Sequence, residues 1–416
     1  MNDWQHGFYK LTAEKRRQRL KDARQLSNAA EKQLAEKSSA LGNELIENYI
    51  TDYSLPEGVA LNLTVNDHQY AVPMAIEEPS VVAAASNGAQ RVSRSGGFSA
   101  PRQDRQLVGQ VVLDEITDKK ATLLWLTEHQ DTILAIANQA HPSMQARGGG
   151  AKEMTIRTPG DFISLDLGID VCQAMGANSV NTMVEAVAQW LTAKGYHVIT
   201  AILSNLATKS LQTASCRVNF KQLATAQIDG QTVAKRIARL SDLAQVDPYR
   251  AATHNKGIMN GIDAVMVASG NDWRAIESGA HAYAARDGQY RGLSKWTIDG
   301  DCLIGTITIP LPVGVVGGSI GLNKLTKINY QISQIKTAEE LAAVTASIGL
   351  AQNLAALRAL TTTGIQAGHM KLQYRSLAVS VGATPIEVPI VVAHLKQYSH
   401  VDQALARKVL AMIRKD

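Results

Sequence analysis

The chain has 416 residues, of which 45% are hydrophobic, 19% charged and only 5% aromatic. This balance is typical of globular proteins and excludes disordered and fibrous ones, and the length predicts two or three domains. The formal net charge of +5 suits a phosphate-bearing ligand, although ordinary surface charge gives a similar value.

The N-terminus and the cysteines indicate the compartment. The chain start lacks the basic and apolar regions of a signal peptide, and no stretch approaches about 18 uninterrupted apolar residues. Cys172, Cys216 and Cys302 are scattered and form neither a metal-ligand spacing nor an even-numbered disulfide framework. We therefore expect a cytoplasmic protein with no metal site and no membrane partner.

The N-terminal segment has the pattern of an amphipathic helix. Leucines and alanines recur at spacings of three and four from Thr12 to about Tyr49, with a break expected near Gly42. The basic run at residues 15–19 is followed at once by acidic residues and contains no aromatics. It therefore indicates a solvated helix face, and we expect no nucleic-acid partner.

A β-hairpin is predicted next, from two runs of strand composition that are separated by a turn and closed by a proline. These are Val59–Val65, Asn66-Asp67, Gln69–Val72 and Pro73. Ser80 then occupies the capping position of a helix that begins at Val81. The stretch Gly88–Arg105, rich in Ser, Gly and Arg, predicts a loop.

Strands and helices alternate over the next hundred or so residues. The predicted elements are strand Leu107–Leu113, helix Ala121–Ala140, strand Phe162–Val171, helix Asn178–Lys194 and strand His197–Leu203. This order indicates a compact α+β insert of the split βαβ type. The run Arg147-Gly148-Gly149-Gly150 between its halves predicts a flexible turn that serves as a lid or corner.

The remaining chain is predicted to be rich in helix. Its elements are strands at Ala264–Ala268, Cys302–Ile309 and Val388–Val392, a loop containing Gly314, Gly317, Gly318 and Gly321, and helices at Ala338–Thr361 and Asp402–Lys415.

Two segments combine a reactive side chain with an apolar helix. Glu78 stands beside Glu77, and a crowded carboxyl of this kind suits a proton donor, although acids also stabilise a helix N-terminus. Lys256 lies between Asn255 and Gly257 ahead of an apolar segment. A desolvated lysine there can stabilise an oxyanion or form a Schiff base, and a turn lysine is an equally good interpretation.

Two further candidates lie at predicted junctions. Asp272 follows the predicted strand Val265–Ala268, where acids reach into clefts, although it can also cap a helix that begins at Trp273. His369 stands between Gly368 and Met370 at the start of the C-terminal segment. A single histidine is more often structural, but this position suits movement with a lid.

The sequence contains neither the dinucleotide fingerprint G-x-G-x-x-G after a strand nor a P-loop. Met175-Gly176-Ala177-Asn178 does stand between a predicted strand and a predicted helix. Gly176 allows close backbone approach, and the helix N-terminus offers N–H groups to an anion. Alone, this run is a weak signal for a cofactor site.

Taken together, these segments resemble class II (bacterial-type) HMG-CoA reductase over nearly the whole chain. The matching segments are Gly7–Leu11, Glu14–Arg17, Glu47–Ile50, Leu55-Pro56, Val72–Ala75, Glu77–Ser86, His254–Gly261, Gly270–Ala275 and Gly368–Met370. Several positions differ from the family, and the first is Gln173, which stands before Ala-Met-Gly-Ala-Asn where the family usually has Asp and would place an amide near the cofactor. The others are Thr51 in place of Gly, Val315 in place of Thr and Gln373 where a second His is common.

The resemblance implies an α+β multidomain fold. A large helix-rich α/β substrate domain would comprise residues 1–104 and 210–367. A small ferredoxin-like (split βαβ) cofactor domain would be inserted at 105–209, and a C-terminal flap would comprise 368–416. It also implies a homodimer or higher homo-oligomer with sites at the subunit interface, and residues Glu47–Ile50 would reach the partner.

The resemblance implies four catalytic residues. Lys256 would stabilise the thioester oxygen, and Glu78 would donate a proton to the mevaldehyde carbonyl. Asp272 would lie between them in one hydrogen-bonded network, and His369 would protonate the departing coenzyme A thiolate.

The binding residues implied by the resemblance form two groups. Ser80, Arg250 and Asn260 would hold the hydroxymethylglutaryl part, and the run Met175, Gly176, Ala177 and Asn178 would bind the nicotinamide cofactor. The implied reaction reduces HMG-CoA to mevalonate and free coenzyme A in two hydride transfers. An acid that would select NAD by binding the ribose 2′-hydroxyl is absent around residues 138–141, so we expect NADPH, with NADH possible.

Three alternatives remain open from the sequence. The same fold can oxidise mevalonate with NAD, and a lysine-dependent aldolase would use Lys256 as a Schiff base. A catalytically impaired coenzyme A-binding paralogue would explain Gln173. Retention of Glu78, Lys256, Asp272 and His369 together argues against such decay.

Overall fold

The structure is a computed structural model that describes residues 4–103, 105–362, 374–398 and 400–414, with the backbone alone at 319. The chain forms two compact units, Met1–Pro56 and Glu57–Asp416.

The first unit contains a 3₁₀ turn at Phe8–Lys10 and three helices, α1 (Ala13–Arg24), α2 (Asn28–Glu36) and α3 (Ala40–Leu45). The helical prediction is confirmed, but the expected break at Gly42 is wrong, since Gly42 lies inside α3. The breaks occur instead ahead of Ser27 and Ser39, whose side chains accept hydrogen bonds from the next helix's first turn. Serine caps of this kind start a new helix.

The basic run at 15–19 was predicted to be a solvated helix face, and this is wrong for three of its arginines. Arg16 is buried and donates to the carbonyl oxygens of Tyr9 (2.9 Å) and Tyr49 (3.3 Å). Arg17 donates to Ile50 O at 3.1 Å, and Arg19 donates to a carbonyl near the chain start. Within this unit the guanidinium groups therefore join backbone segments that are distant in sequence.

The second unit begins with a six-stranded sheet of order β2-β1-β3-β8-β10-β9. Its strands are β1 (Glu57–Val65), β2 (His68–Ala75), β3 (Phe98–Ser99), β8 (Leu211–Asn219), β9 (Ser294–Asp299) and β10 (Cys302–Pro310). The predicted hairpin is confirmed, and both turn residues have positive φ. Pro73 does not end β2 but pairs with Val59. Proline is tolerated there because β2 is an edge strand.

Helices pack against this sheet around a shared apolar core. They are α4 (Val81–Ser93), α9 (Phe220–Leu223), α10 (Gly230–Val246), α11 (Pro248–Ala268), α12 (Trp273–Ala284), α13 (Lys324–Ser333) and α14 (Ala338–Thr361). The loop predicted at Gly88–Arg105 is wrong for residues 88–93, since α4 continues to Ser93, and for the short strand β3. A Cβ at Gly88 would lie 2.0 Å from the Ala351 carbonyl oxygen of α14, so this glycine allows the two helices to approach closely.

Two helices of this layer bear on the sequence predictions. The strand predicted at Ala264–Ala268 is wrong, since these residues form the end of α11. The helix predicted at Ala338–Thr361 is confirmed as α14. α14 is long and apolar enough to span a membrane, but 83% of its most apolar window is buried inside the protein. It is therefore the central helix of the core.

A separate four-stranded antiparallel sheet has the order β5-β6-β4-β7 and its own apolar core. Its strands are β4 (Leu107–Asp114), β5 (Gly150–Arg157), β6 (Ile163–Asp170) and β7 (His197–Ser204). Its helices are α5 (Lys119–Glu128), α6 (Gln130–Gln139), α7 (Pro142–Ala146) and α8 (Ala177–Ala193). The β-α-β-β-α-β order is that of a split βαβ unit. The sequence prediction omitted β5 and joined α5 to α6, which are separate helices.

The described C-terminal residues are helical at 374–380, in α15 (Glu387–Leu395) and in α16 (Gln403–Ile413). The final helix is confirmed and is capped by Asp402. The strand predicted at Val388–Val392 is wrong. Its valines belong to α15, where Val391 and Val392 pack into a small core with residues of α16.

Candidate active site

An ion pair joins two of the predicted catalytic residues. Lys256, on α11, places its Nζ 3.0 Å from Glu78 Oε2, just ahead of α4. One helical turn further along α11, Asn260 donates its amide to the same carboxylate oxygen at 3.5 Å. Ser80 completes the group, since its hydroxyl donates to Glu78 Oε1 at 3.1 Å. The structure therefore brings together Glu78, Ser80, Lys256 and Asn260.

Ser80 occupies the predicted capping position of α4, but its side chain makes no capping hydrogen bond. The hydroxyl binds Glu78 instead. A capping serine satisfies the helix backbone, whereas this one orients a carboxylate.

The sequence left two interpretations of Lys256 open, a desolvated reactive lysine and a turn lysine, and the structure matches neither environment. It lies within α11, and its side chain is 64% exposed, against 30% for Glu78. In an ion pair the lysine acts as an ammonium donor, whereas a Schiff base needs a free amine. The geometry therefore favours electrostatic stabilisation of an oxygen over covalent chemistry.

Asp272 lies at the N-terminus of α12, where its Oδ1 accepts from Ala275 N at 3.1 Å. This confirms the capping interpretation. Among the described residues its carboxylate makes no hydrogen bond to Lys256 or Glu78. Asp272 instead lines an open cleft of about 250 Å³ together with the predicted cofactor run.

The cleft is formed by three loops. One is the run Met175–Asn178, the second is residues 270–272, and the third is the glycine-rich loop at 316–318. A β-bridge between Ala174 and Val316 joins the first loop to the third.

Gly176 shapes the first loop, since it precedes α8 with φ +86°, and a Cβ there would lie 2.3 Å from a Val171 methyl carbon. No side chain caps α8. Residues 177–179 of its first turn line the cleft, and a helix N-terminus of this kind offers free N–H groups to an anion. This cradle fits the phosphate-bearing part of a nicotinamide cofactor.

Sequence reasoning missed the role of Asn271. Its amide donates to Gly314 O at 3.0 Å and its carbonyl accepts from Gly314 N at 2.8 Å. This paired contact holds the start of the glycine-rich loop against the residue before Asp272. The Gly-Asn-Asp sequence was the available signal, because asparagine commonly binds backbone at turns.

Gln173 was expected to place an amide near the cofactor. The structure directs it elsewhere, since Oε1 accepts from Ala338 N at 2.7 Å at the start of α14. Its Nε2 donates to Glu339 Oε2 at 3.2 Å. The substitution of amide for acid therefore concerns the joint between the cofactor run and α14.

Arg250 is not brought to the Glu78 group. Burial lowers the pKa of its guanidinium, and its Nε is buried without a partner among the described residues. None of its described hydrogen bonds reaches Glu78 or Lys256. His369, with Gly368 and Met370, lies outside the described residues. Within the described ranges, no group of three or more His, Cys, Asp or Glu could hold a metal ion.

Comparisons with known proteins point to a single family. The sequence model of the family described as hydroxymethylglutaryl-coenzyme A reductase matches residues 12–374. The 3-hydroxy-3-methylglutaryl-coenzyme A reductase of Archaeoglobus fulgidus is 43% identical over 98% of this chain and 94% of its own length.

Solved structures agree with this result. A 3-hydroxy-3-methylglutaryl-coenzyme A reductase from Streptococcus pneumoniae is 44% identical, covers 98% of this chain and 99% of its own, and gives a TM-score of 0.76. A class II reductase from the same species, bound to NADPH in open conformations, is 44% identical with a TM-score of 0.77. That match covers 96% of this chain and 99% of the other.

Proposed function

The chain belongs to the hydroxymethylglutaryl-coenzyme A reductase family, and from this we propose that it reduces 3-hydroxy-3-methylglutaryl-coenzyme A to mevalonate and free coenzyme A. The single structural observation that supports the proposal best is the Glu78–Lys256 ion pair with Ser80 and Asn260 around it. It supplies a cation and a carboxyl at one point, as reduction of a thioester and then of an aldehyde requires.

Lys256 stabilises the substrate oxygen as it gains negative charge in each reduction. Its ammonium is exposed, so it can bind a substrate oxygen while it stays beside the Glu78 carboxylate, and no helix or strand has to unfold. Glu78 supplies the proton to the aldehyde oxygen. Ser80 and Asn260 hold the carboxyl group in place for this transfer.

The remaining catalytic roles rest on the sequence resemblance. Asp272 couples the protonation of Glu78 and Lys256 in one network, which requires its side chain to leave the helix cap described above. Arg250 binds the substrate carboxylate, and its unpartnered Nε is available for such a contact. His369 protonates the coenzyme A thiolate.

NADPH supplies a hydride at each of the two steps. Residues 175–178 and the N-terminus of α8 hold it, and its binding to the Streptococcus relative supports this choice of cofactor. At the position where an acid would select NAD, Asn138 binds the backbone of Ala151 and His141 caps α7. Neither side chain supplies that acid.

The proposal extends to organisation and location. We propose a large substrate domain of residues 1–104 and 210–367, a cofactor domain of 105–209 and a flap of 368–416. The separate sheet and core formed by β4 to β7 support the second of these. We also propose a cytoplasmic homodimer with sites at the subunit interface, working in mevalonate biosynthesis.

The test is an assay of the purified protein with HMG-CoA and NADPH, in which cofactor oxidation and free thiol are measured together. We expect two cofactors oxidised for each thiol released. A folded protein that consumes no cofactor would contradict the proposal, and a ratio of one would contradict the second reduction. NADH in a parallel sample measures the cofactor preference.

A further inference from the structure

A chain of polar side chains connects α11 to α12 beside the Lys256 region. Glu277 of α12 accepts from His281 Nε2 at 2.6 Å, and His281 Nδ1 lies 2.7 Å from the Tyr290 hydroxyl. Tyr290 in turn hydrogen-bonds Asn255, the neighbour of Lys256. At the other end Glu277 hydrogen-bonds Asp263 of α11. This series of side chains therefore begins on α11 at Asn255, beside Lys256, and ends on α11 at Asp263, two turns further along.

The Asp263–Glu277 contact joins two carboxyl groups. Ionised carboxylates only accept hydrogen bonds, so the contact needs a proton on one of them. Asp263 is the better host, since its Oδ1 is buried without a partner among the described residues. Burial, followed by the Glu277 contact, raises the pKa of Asp263 to about 9, and the bond from His281 lowers that of Glu277.

Among the described residues, the titratable groups that face this pair are His281 on α12 and Tyr290 in the following loop. On α11 itself, Lys256 is engaged by Glu78. The other elements packed on α11 are α4, α10, α13, α14 and β2, and none of their described charged groups acts on Asp263.

We propose that Asp263 and Glu277 share one proton, and that this pair positions α11, which carries Lys256 and Asn260, against α12, which Asp272 caps. Asp263 lies one turn beyond Asn260 on α11, and Glu277 lies in the second turn of α12. Removal of the proton places two negative charges in contact and separates the helices. Asp263 and Glu277 are therefore positioning residues and do not touch substrate.

The first test is infrared spectroscopy of the full-length protein without substrate. A buried protonated carboxyl gives a carbonyl band, which we expect at neutral pH and which should disappear around pH 9. Asp263→Asn should abolish it. The matched control is Asp242→Asn on α10, an exposed acid paired with Arg239, which should leave the band unchanged. Absence of the band in the wild-type protein at neutral pH would overturn the proposal.

The second test is the pH profile of turnover, and it rests on the proposed reductase activity. Loss of one proton should lower kcat about tenfold for each pH unit above its midpoint. Asp263→Asn keeps a hydrogen-bond donor but cannot titrate. Its kcat should therefore match the wild type at neutral pH and should not show this fall at alkaline pH. Asp263→Ala should lower kcat at neutral pH with little change in KM.

The two tests fail in different ways. If the wild-type protein shows the infrared band but Asp263→Asn keeps the same fall in kcat at alkaline pH, the shared proton stands and its positioning role is refuted. Inactivity of the wild-type protein would instead refute the reductase function, while the infrared result would stand independently.

Discussion

Lys256 and Glu78 form an ion pair of 3.0 Å although they come from different elements, α11 and the loop before α4. Both contribute to one surface because α11 and α4 each pack on α14. Lys256 lies at the exposed end of this arrangement, so it contributes little to the core.

Lys256→Ala should nearly abolish reduction while the protein stays folded. Removal of a charge that stabilises a developing oxyanion lowers kcat by about 10²–10³-fold. The measurement is NADPH oxidation with HMG-CoA, with circular dichroism as the check on folding. Lys295→Ala, at an exposed position in β9, is the matched control and should be fully active. An active Lys256→Ala enzyme would exclude the proposed role.

Gly176→Ala should weaken cofactor binding. A side chain at φ +86° is strained, and its Cβ would also overlap Val171 at the base of the cleft. We expect a raised KM for NADPH and an unchanged KM for HMG-CoA. The control is Gly160→Ala, which has φ +58° but open space around the new Cβ. Equal effects of the two substitutions would show that backbone strain alone is responsible.

Gln173→Glu should loosen the joint between the cofactor run and α14. The change is isosteric but places a second carboxylate 3.2 Å from Glu339 Oε2. We expect a lower Tm and a higher KM for NADPH. The double variant Gln173→Glu/Glu339→Gln exchanges the two groups and should recover both values. A double variant as impaired as the single one would refute this pairing.

His254 should make the protein less stable in mild acid. Burial, assisted by Arg250, lowers its pKa to about 3, and it hydrogen-bonds Ser294 in the neutral form. Unfolded histidine titrates near 6.5, so the stability it contributes is present above about pH 6.5 and is lost as pH falls towards 3. The loss is about 1.4 kcal/mol per pH unit in that window.

Urea unfolding between pH 7 and pH 4.5 measures this effect. His254→Gln should be less stable at neutral pH but should show a shallower decline with acidity. His68→Gln, at an exposed hairpin position, should follow the wild type. Parallel curves for wild type and His254→Gln would assign the acid sensitivity to other groups.

The sequence predicted long elements better than short ones. The long helix α14 was predicted with the bounds that the structure shows, and the structure adds a capping box of Thr337 and Glu340 at its start. The runs Ala264–Ala268 and Val388–Val392 were assigned as strands because short apolar runs look alike in buried helices and strands. Only their packing, inside α11 and α15, distinguishes them.

The site shows the same limit. The local sequence offered Glu78 and Lys256 as candidates without deciding their roles, and the family resemblance assigned those roles. Neither predicted that Ser80 would bind Glu78 instead of capping α4. Asp263 was missed because one acid within an apolar run carries no sequence signal for its partner on another helix. The hydrogen-bond partners of Gln173 lie on α14, far away in sequence, so they could not be predicted from the sequence either.

Through the Gln173 contact, α14 connects the cofactor run to the start of the C-terminal segment. Its first turn is tied to the cofactor run, and its last described turn, at Thr361, stands eight residues before His369. A helix of this length spans about 36 Å and, buried as it is, moves as one piece. NADPH binding should therefore change amide exchange at Thr361 in the wild type but not in Gln173→Ala. The core helix would then transmit cofactor binding to the start of the C-terminal segment that we propose as the flap.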